Sequence, residues 1–334
     1  MSQQPSAKIS QVTSDDRIRG AIWGQFVGDA FCLGSHWIYD LAELTQRFPG
    51  GPRGFETPAA GHYHFGKMPG DLTHYGDGAL LQLQSLAERG AFDAVDFGAR
   101  FVAMIESPEY RGYRDHAAKG TMANAREFRT AHPGEPYGYQ DGSDDDQPAT
   151  VSRLAPVAAR HFRDSGYLAV VERATRVCQN NDRAVAYAEG HALVLRELFS
   201  GNALLEAFRA AAGIMAEKGP EGAEVAGRIN DAIAVQELSV REATLRFGQS
   251  CPLEASFPSA IHCALRHSDD FAAALQATAA AGGDSAGRAS MVGAWLGASL
   301  GIGAVPAQWR ERLTARNVIA ACAERIVTLA RGDG

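Results

Sequence analysis

The chain has 334 residues, 46% hydrophobic and 21% charged, a globular composition with enough apolar side chains for a substantial core. Its 32 Lys and Arg against 39 Asp and Glu give a formal net charge of -7. This mildly acidic balance argues against a nucleic-acid backbone or an anionic membrane as the main partner.

Residues 1–13 are polar and lack an apolar run of the signal-peptide kind, so they are expected to form a flexible N-terminal tail on a cytoplasmic protein. From Ser14-Asp15-Asp16, a candidate helix cap, Ile18, Ile22, Phe26 and Ala30 recur on one helical face. Similar periodicity predicts helices over 79–89, 95–105, 151–162, 168–177, 183–199 and 203–216. Further helices are expected over 240–247, 259–266, 271–281, 289–300 and 318–330. Several follow cap-capable residues: Asp182, Asn202, Ser239, Ser256 and Asp269. Alternating β-branched runs are nearly absent, so the expected fold class is all-α.

Two long segments interrupt this pattern, about 48–75 and 132–148, the second ending in Ser143-Asp144-Asp145-Asp146-Gln147. Long irregular segments in a helical domain usually serve a site. No linker or fixed-period repeat divides the chain, so residues 14–331 read as one domain. The most apolar stretch, 291–305, is broken by glycines and falls short of a bilayer span, which predicts a buried helix. The five cysteines are dispersed without a Cys-x-x-Cys pair, as in a reduced protein.

Glycines 20, 24 and 28 repeat every four residues in the first helix, and 293, 297 and 301 do so in a late one. Glycine costs about 1 kcal/mol against alanine inside a helix, so the stripes predict close backbone approach. Asp29 and Asp284, beside the stripes, are then expected to be drawn together in the core. Asp77 and Asp284 each stand at the start of an apolar helical run. Two readings are open for them: a helix cap, or one oxygen ligand of a site gathering carboxylates around a divalent ion.

The segments Gly24-Gln-Phe-Val-Gly-Asp-Ala30, Arg153-Leu-Ala-Pro156, Ser256-Phe-Pro-Ser-Ala260, Gly282-Gly-Asp284 and Pro306-Ala-Gln-Trp309 together resemble the ADP-ribosylglycohydrolase superfamily. The resemblance spans about residues 17–310 and implies an orthogonal helical bundle around a dinuclear Mg²⁺ site that hydrolyses a glycosidic bond of ADP-ribose. The family's Thr-Asp-Asp-Thr turn reads Tyr75-Gly76-Asp77-Gly78 here, and its late Asp-x-Asp-Thr reads Asp284-Ser-Ala-Gly287. Asp144–Ala149 stand where the family has a Gly-rich phosphate segment. These departures, with His36-Trp37-Ile38-Tyr39-Asp40, resemble the crystallin J1-like branch.

The resemblance implies a reduced metal set of Asp29, Asp77 and Asp284 holding one divalent cation, Mg²⁺ or Mn²⁺. Asp77, His36 and His74 are the candidate catalytic residues, since a histidine beside aspartates serves as a base or a ligand; a buried structural histidine is the open alternative. Candidate substrate contacts are Asp144, Asp145, Asp146, Gln147, Arg288, Tyr75 and Trp37. A solvated loop for the acidic run, a surface role for Arg288 and core packing for the aromatics stay open. His62-Tyr63-His64 has the spacing of a metal pair and equally of a packed lid. The expected activity is hydrolysis of a ribosylated or ADP-ribosylated small molecule, without nucleic acid or membrane. The alternatives are a silent crystallin-like protein and a small-metabolite enzyme of another class.

Overall fold

The computed structural model describes residues 12–332. The expected tail therefore lies largely outside the described residues, although Thr13 caps the first helix by accepting from the Asp16 N–H. The helices follow in chain order as α1 (Ser14–Phe31), α2 (Leu41–Arg47), α3 (His74–Arg89), α4 (Ala94–Glu106), α5 (His116–Ala131), α6 (Ala155–His161), α7 (Tyr167–Arg176) and α8 (Asp182–Phe199). They continue as α9 (Leu204–Met215), α10 (Gly219–Ala234), α11 (Val240–Phe247), α12 (Leu253–Arg266), α13 (Phe271–Ala280), α14 (Ser285–Leu300), α15 (Ala307–Arg312) and α16 (Arg316–Ala330). No β-strand occurs among the described residues; the extended contacts are two isolated bridges, Ile38 with Gly283 and Ser143 with Gln179. The all-α expectation holds.

The bundle is organised around α14, whose residues Ser285–Ala298 are all buried. It packs along α1 at backbone contact. A Cβ on Gly20 would stand 2.0 Å from the Gly297 carbonyl oxygen, one on Gly24 2.0 Å from that of Gly293, and one on Gly28 2.1 Å from that of Ala289. The two glycine stripes thus face each other, which is the compensation their helix-propensity cost requires. Trp295 of α14 fills the centre, edge-on to Phe208 and Phe257. A smaller cluster of Phe97, Phe101, Ile105, Ala118, Val177 and Cys178 lies under α4 and α5, with the buried Arg153 guanidinium over the Phe97 and Phe101 rings.

Helix boundaries differ from the sequence pattern where proline and polarity intervene. The expected helix 151–162 is a 3₁₀ turn, Val151–Arg153, followed by α6 with Pro156 in its first turn, where a missing N–H costs nothing. The expected helix 259–266 begins earlier, at Leu253, and runs through Pro258. Asn181 caps α8 one residue before the expected Asp182, and Asp270 caps α13 one residue after the expected Asp269. Helices α2, α5, α10 and α15 were not expected. Both long irregular segments are present, and they converge on the amino-terminal ends of α3, α5 and α14.

Candidate functional site

Three short stretches build the site. The first leaves α1 and turns at Trp37, a non-glycine residue with φ 60°. Its N–H donates to the Gly283 carbonyl and Gly283 N–H to the Ile38 carbonyl, each at 2.8 Å. Gly282 and Gly283 both have positive φ, which admits this close bridge. A bulky residue in the left-handed region is uncommon and marks a position held by its surroundings. Here the turn lays the Trp37 indole on His36, ring centroids 4.2 Å apart, and lets its N–H donate to Cys251 Sγ at 3.3 Å.

The second stretch is the loop before α3. His62 Nε2 meets the His36 carbonyl oxygen at 2.7 Å, and His62 Nδ1 accepts from the His64 N–H. His62 is thereby a strap that carries His64 into the interior and leaves Tyr63 at the surface. The third is the run before α5, where Asp115 caps the helix by accepting from the Ala118 N–H at 2.7 Å.

Above this floor lies a cavity of about 240 Å³ lined by Trp37, Tyr39, Tyr63, Tyr113, Asp115, His116, Gln147 and Cys251. Trp37, Tyr63 and Tyr113 meet edge to face, with centroids 5.0–5.4 Å apart, a favourable aromatic geometry. Behind Trp37 sit three buried histidines. The centroid separations are 5.7 Å for His36–His64, 5.5 Å for His64–His74 and 6.1 Å for His36–His74.

The electrostatics separate two acids with different work. Asp115 Oδ2 is 3.4 Å from His74 Nε2. Burial pushes its carboxyl up, but His74, the Ala118 N–H and Arg153 outweigh this and hold it below the usual 3.8, so it is ionised at neutral pH. Asp284 is fully buried and raised chiefly by that burial, against the Arg288 charge and the Gly287 N–H. It caps α14 through Gly287, accepts from the Tyr75 hydroxyl at 3.5 Å and stands 3.6 Å from His36 Nδ1. Burial, reinforced by the neighbouring histidines, drives His36 well below 6.5 and His64 to about 2; both imidazoles are neutral. The Cys251 thiol is pushed up to about 12 by burial and by Asp284.

The residues singled out by sequence divide into those the cavity receives and those it does not. Trp37 and Gln147 line it; His36, His74 and Tyr75 form the layer beneath. Asp144, Asp145 and Asp146 point three ways. Asp144 accepts from Asn181 at 2.7 Å, Asp145 meets His116 Nδ1 at 3.1 Å and accepts from Gln179, and Asp146 pairs with Arg183 at 3.2 Å. Arg288 is buried and donates to the Gly282 and Gln249 carbonyls, clamping the turn that carries Asp284.

Asp29 and Asp284 both meet the start of α3. Asp29 accepts from the Thr73 N–H, the Thr73 hydroxyl and the Gly76 N–H, so donors occupy both of its oxygens. Asp77 is paired with Lys67 at 2.6 Å and accepts from the Tyr110 hydroxyl at 3.0 Å. Among the described residues, the group of three whose ligand atoms all lie within 4.8 Å of one another is His36, His64 and His74. Asp29, Asp77 and Asp284 form no such group. Asp115 and His116 were missed by sequence reading; the available signal was an aspartate before an alanine-containing run, the pattern of a helix cap.

A family model described as ADP-ribosylglycohydrolase matches residues 10–334. Crystallin J1A of Tripedalia cystophora is 25% identical over 328 residues, covering 95% of this chain and 98% of that protein. Crystallin J1B of the same animal is 25% identical over 321 residues, covering 91% and 94%. A solved structure described as an ADP-ribosylglycohydrolase-related protein complex aligns with a TM-score of 0.71 and 22% identity, over 95% of this chain and 99% of that one, which identifies the shared fold.

Proposed function

Because the chain belongs to the ADP-ribosylglycohydrolase family, we propose that it is a hydrolase acting on the glycosidic bond of a ribosylated small molecule bound in the Trp37–Tyr113 cavity. One observation carries this reading: an ionised, buried carboxylate, Asp115, stands in the wall of an aromatic cavity with an imidazole at its back. Glycosidic cleavage passes through an oxocarbenium-like state whose positive charge a fixed carboxylate stabilises. Asp115 faces that charge and takes the proton of the attacking water, and His74 orients it. His116, held by Asp145, is the proton donor to the leaving group. Trp37, Tyr63 and Tyr113 stack on the sugar and its aglycone and exclude water. Asp77, fixed by Lys67, and His36 stabilise the layer beneath.

Size and charge narrow the substrate. The cavity falls below the roughly 300–1,000 Å³ of drug-sized sites, and among the described residues no lysine or arginine lines it. Both favour a ribosyl group with a small neutral or cationic aglycone over a diphosphate. ADP-ribosylglycohydrolases commonly use divalent metal ions. The Asp29, Asp77 and Asp284 set does not fit an Mg²⁺ site, because among the described residues the three carboxylates do not gather as a close ligand group and Lys67 is paired with Asp77. No step is routed through such an ion.

The test is chromatographic release of free sugar and aglycone from a panel of N- and O-ribosyl and ADP-ribosyl conjugates, with wild type and Asp115→Asn. The expected result is turnover of ribosyl conjugates by wild type and a loss of at least about 100-fold in kcat for the variant. The competing reading, a binding protein without turnover, draws on the two crystallin relatives. Absence of turnover by wild type across the panel would decide for it.

A further inference from the structure

We propose that His36, His64 and His74 form a binding site for one first-row transition ion of the Zn²⁺ class, separate from any carboxylate site. The inference does not depend on the hydrolase reading. All three side chains are buried, at 0%, 1% and 7% exposure, and they offer ligand atoms within 4.8 Å of one another. Four of their six ring nitrogens have neither a hydrogen-bond nor an ion-pair partner among the described residues: His36 Nε2, both of His64 and His74 Nδ1. Burying so many unpaired polar atoms in one place is costly, since each unsatisfied group loses about 1–3 kcal/mol of hydration. A shared ligand that accepts lone pairs removes that cost at once.

The surroundings supply what metal-bound histidines need. A ligating imidazole commonly directs its other nitrogen to a carboxylate or carbonyl, which fixes the tautomer and leaves the ligating nitrogen bare. His74 Nε2 faces Asp115 at 3.4 Å, leaving Nδ1 to ligate. His36 Nδ1 accepts from the Ala286 N–H at 3.2 Å and lies 3.6 Å from Asp284; ligation through Nε2 therefore moves the ring proton to Nδ1, where the Asp284 carboxylate faces it. His62 holds the His64 backbone through its N–H and fixes the third ligand by its loop. The Trp37 ring covers all three, with centroids 4.2, 5.7 and 5.1 Å from His36, His64 and His74.

Neutral imidazole nitrogens select Zn²⁺, Co²⁺, Ni²⁺ or Cu²⁺ over Mg²⁺, which prefers oxygen. Three nitrogens about 2.05 Å from a tetrahedral centre stand about 3.4 Å apart. The observed spread therefore closes with ring movements of about 1 Å or a little more. Three protein ligands leave a fourth position, the composition of an open rather than a purely structural centre.

The experiment uses the full chain, freed of metal by chelator, then dialysed separately against Zn²⁺, Co²⁺ or Mg²⁺ and gel-filtered. Metal per chain is read by plasma mass spectrometry, the cobalt form by its visible d–d absorption, and metal-dependent melting by calorimetry. Wild type is expected to retain one Zn²⁺ or one Co²⁺ and no Mg²⁺, with a tetrahedral cobalt band and a melting temperature raised by Zn²⁺. His64→Ala and His74→Gln are expected to lose the ion, the band and the Zn²⁺-induced rise while keeping a cooperative unfolding transition. His191→Leu, a buried histidine elsewhere, is expected to keep all three. No retained Zn²⁺ or Co²⁺ in wild type would overturn the proposal. So would full retention in either His64→Ala or His74→Gln.

Discussion

His191 offers a direct measure of what an unpaired buried imidazole does to this protein. It lies in α8 with 0% exposure, its ring 5.2 Å from Trp295, and neither ring nitrogen has a hydrogen-bond partner among the described residues. Burial alone lowers its pKa from 6.5 to about 3. The unfolded chain therefore binds the proton first as pH falls through 6.5, while the folded chain does not until about 3. Over that window the unfolded state holds more protons, so stability decreases as pH falls, by up to about 1.4 kcal/mol per pH unit. At pH 5 the loss relative to pH 8 amounts to about 2 kcal/mol.

His191→Leu removes the titrating group and the unpaired nitrogens, and gives up an aromatic contact worth about 0.5–1.5 kcal/mol. Relief of the unpaired nitrogens, about 1–3 kcal/mol, exceeds that loss, so the variant is expected to be the more stable at pH 8 by about 1 kcal/mol. Its advantage should widen to about 3 kcal/mol at pH 5. Urea unfolding followed by tryptophan fluorescence at pH 8, 7, 6 and 5 reads both quantities. A difference between the two proteins that stays constant from pH 8 to pH 5 would refute the argument, because it would mean that the imidazole is not held neutral by burial.

Two further substitutions test the packing that positions the site. Gly24→Ala drives a methyl to 2.0 Å from the Gly293 carbonyl oxygen. A cost of about 2–3 kcal/mol is expected in thermal or urea unfolding despite the better helix propensity, whereas Gly213→Ala in α9, with nothing within 4 Å, should gain up to about 1 kcal/mol. Asp29→Ala leaves the Thr73 N–H, the Thr73 hydroxyl and the Gly76 N–H facing an empty space. The expected loss is at least about 3 kcal/mol at pH 5. Because burial raises the Asp29 pKa to about 6, its ionisation opposes folding as pH rises from 3.8 to 6, and the loss should shrink by about 1 kcal/mol at pH 8.

What the sequence discloses about this molecule follows from how local each signal is. The paired stripes at Gly20, Gly24 and Gly28 and at Gly293 and Gly297 are legible because a penalty repeated every four residues has to be offset by something, and helix contact is the simplest offset. The cap at Asp284 is legible for the same reason: the physics acts within one turn, and the residue does accept from Gly287. Helix α5 escapes because its buried positions are Ala117, Ala118, Thr121 and Ala125, with no large apolar side chain to announce a face. Missing α5 meant missing its cap, Asp115, and with it the carboxylate in the cavity wall. The acidic run at 144–146 looks like one feature in sequence, yet the irregular backbone sends its three side chains to Asn181, His116 and Arg183. The histidine cluster is the least local feature. His36, His64 and His74 come from the turn after α1, the middle of a loop and the first residue of α3. Only the bridge between Ile38 and Gly283 and the strap at His62 bring their rings together. A site assembled by such long-range contacts has no period or spacing to read. Its trace in the sequence was the excess of histidine and aromatic residues in two loops that had no helical work to do.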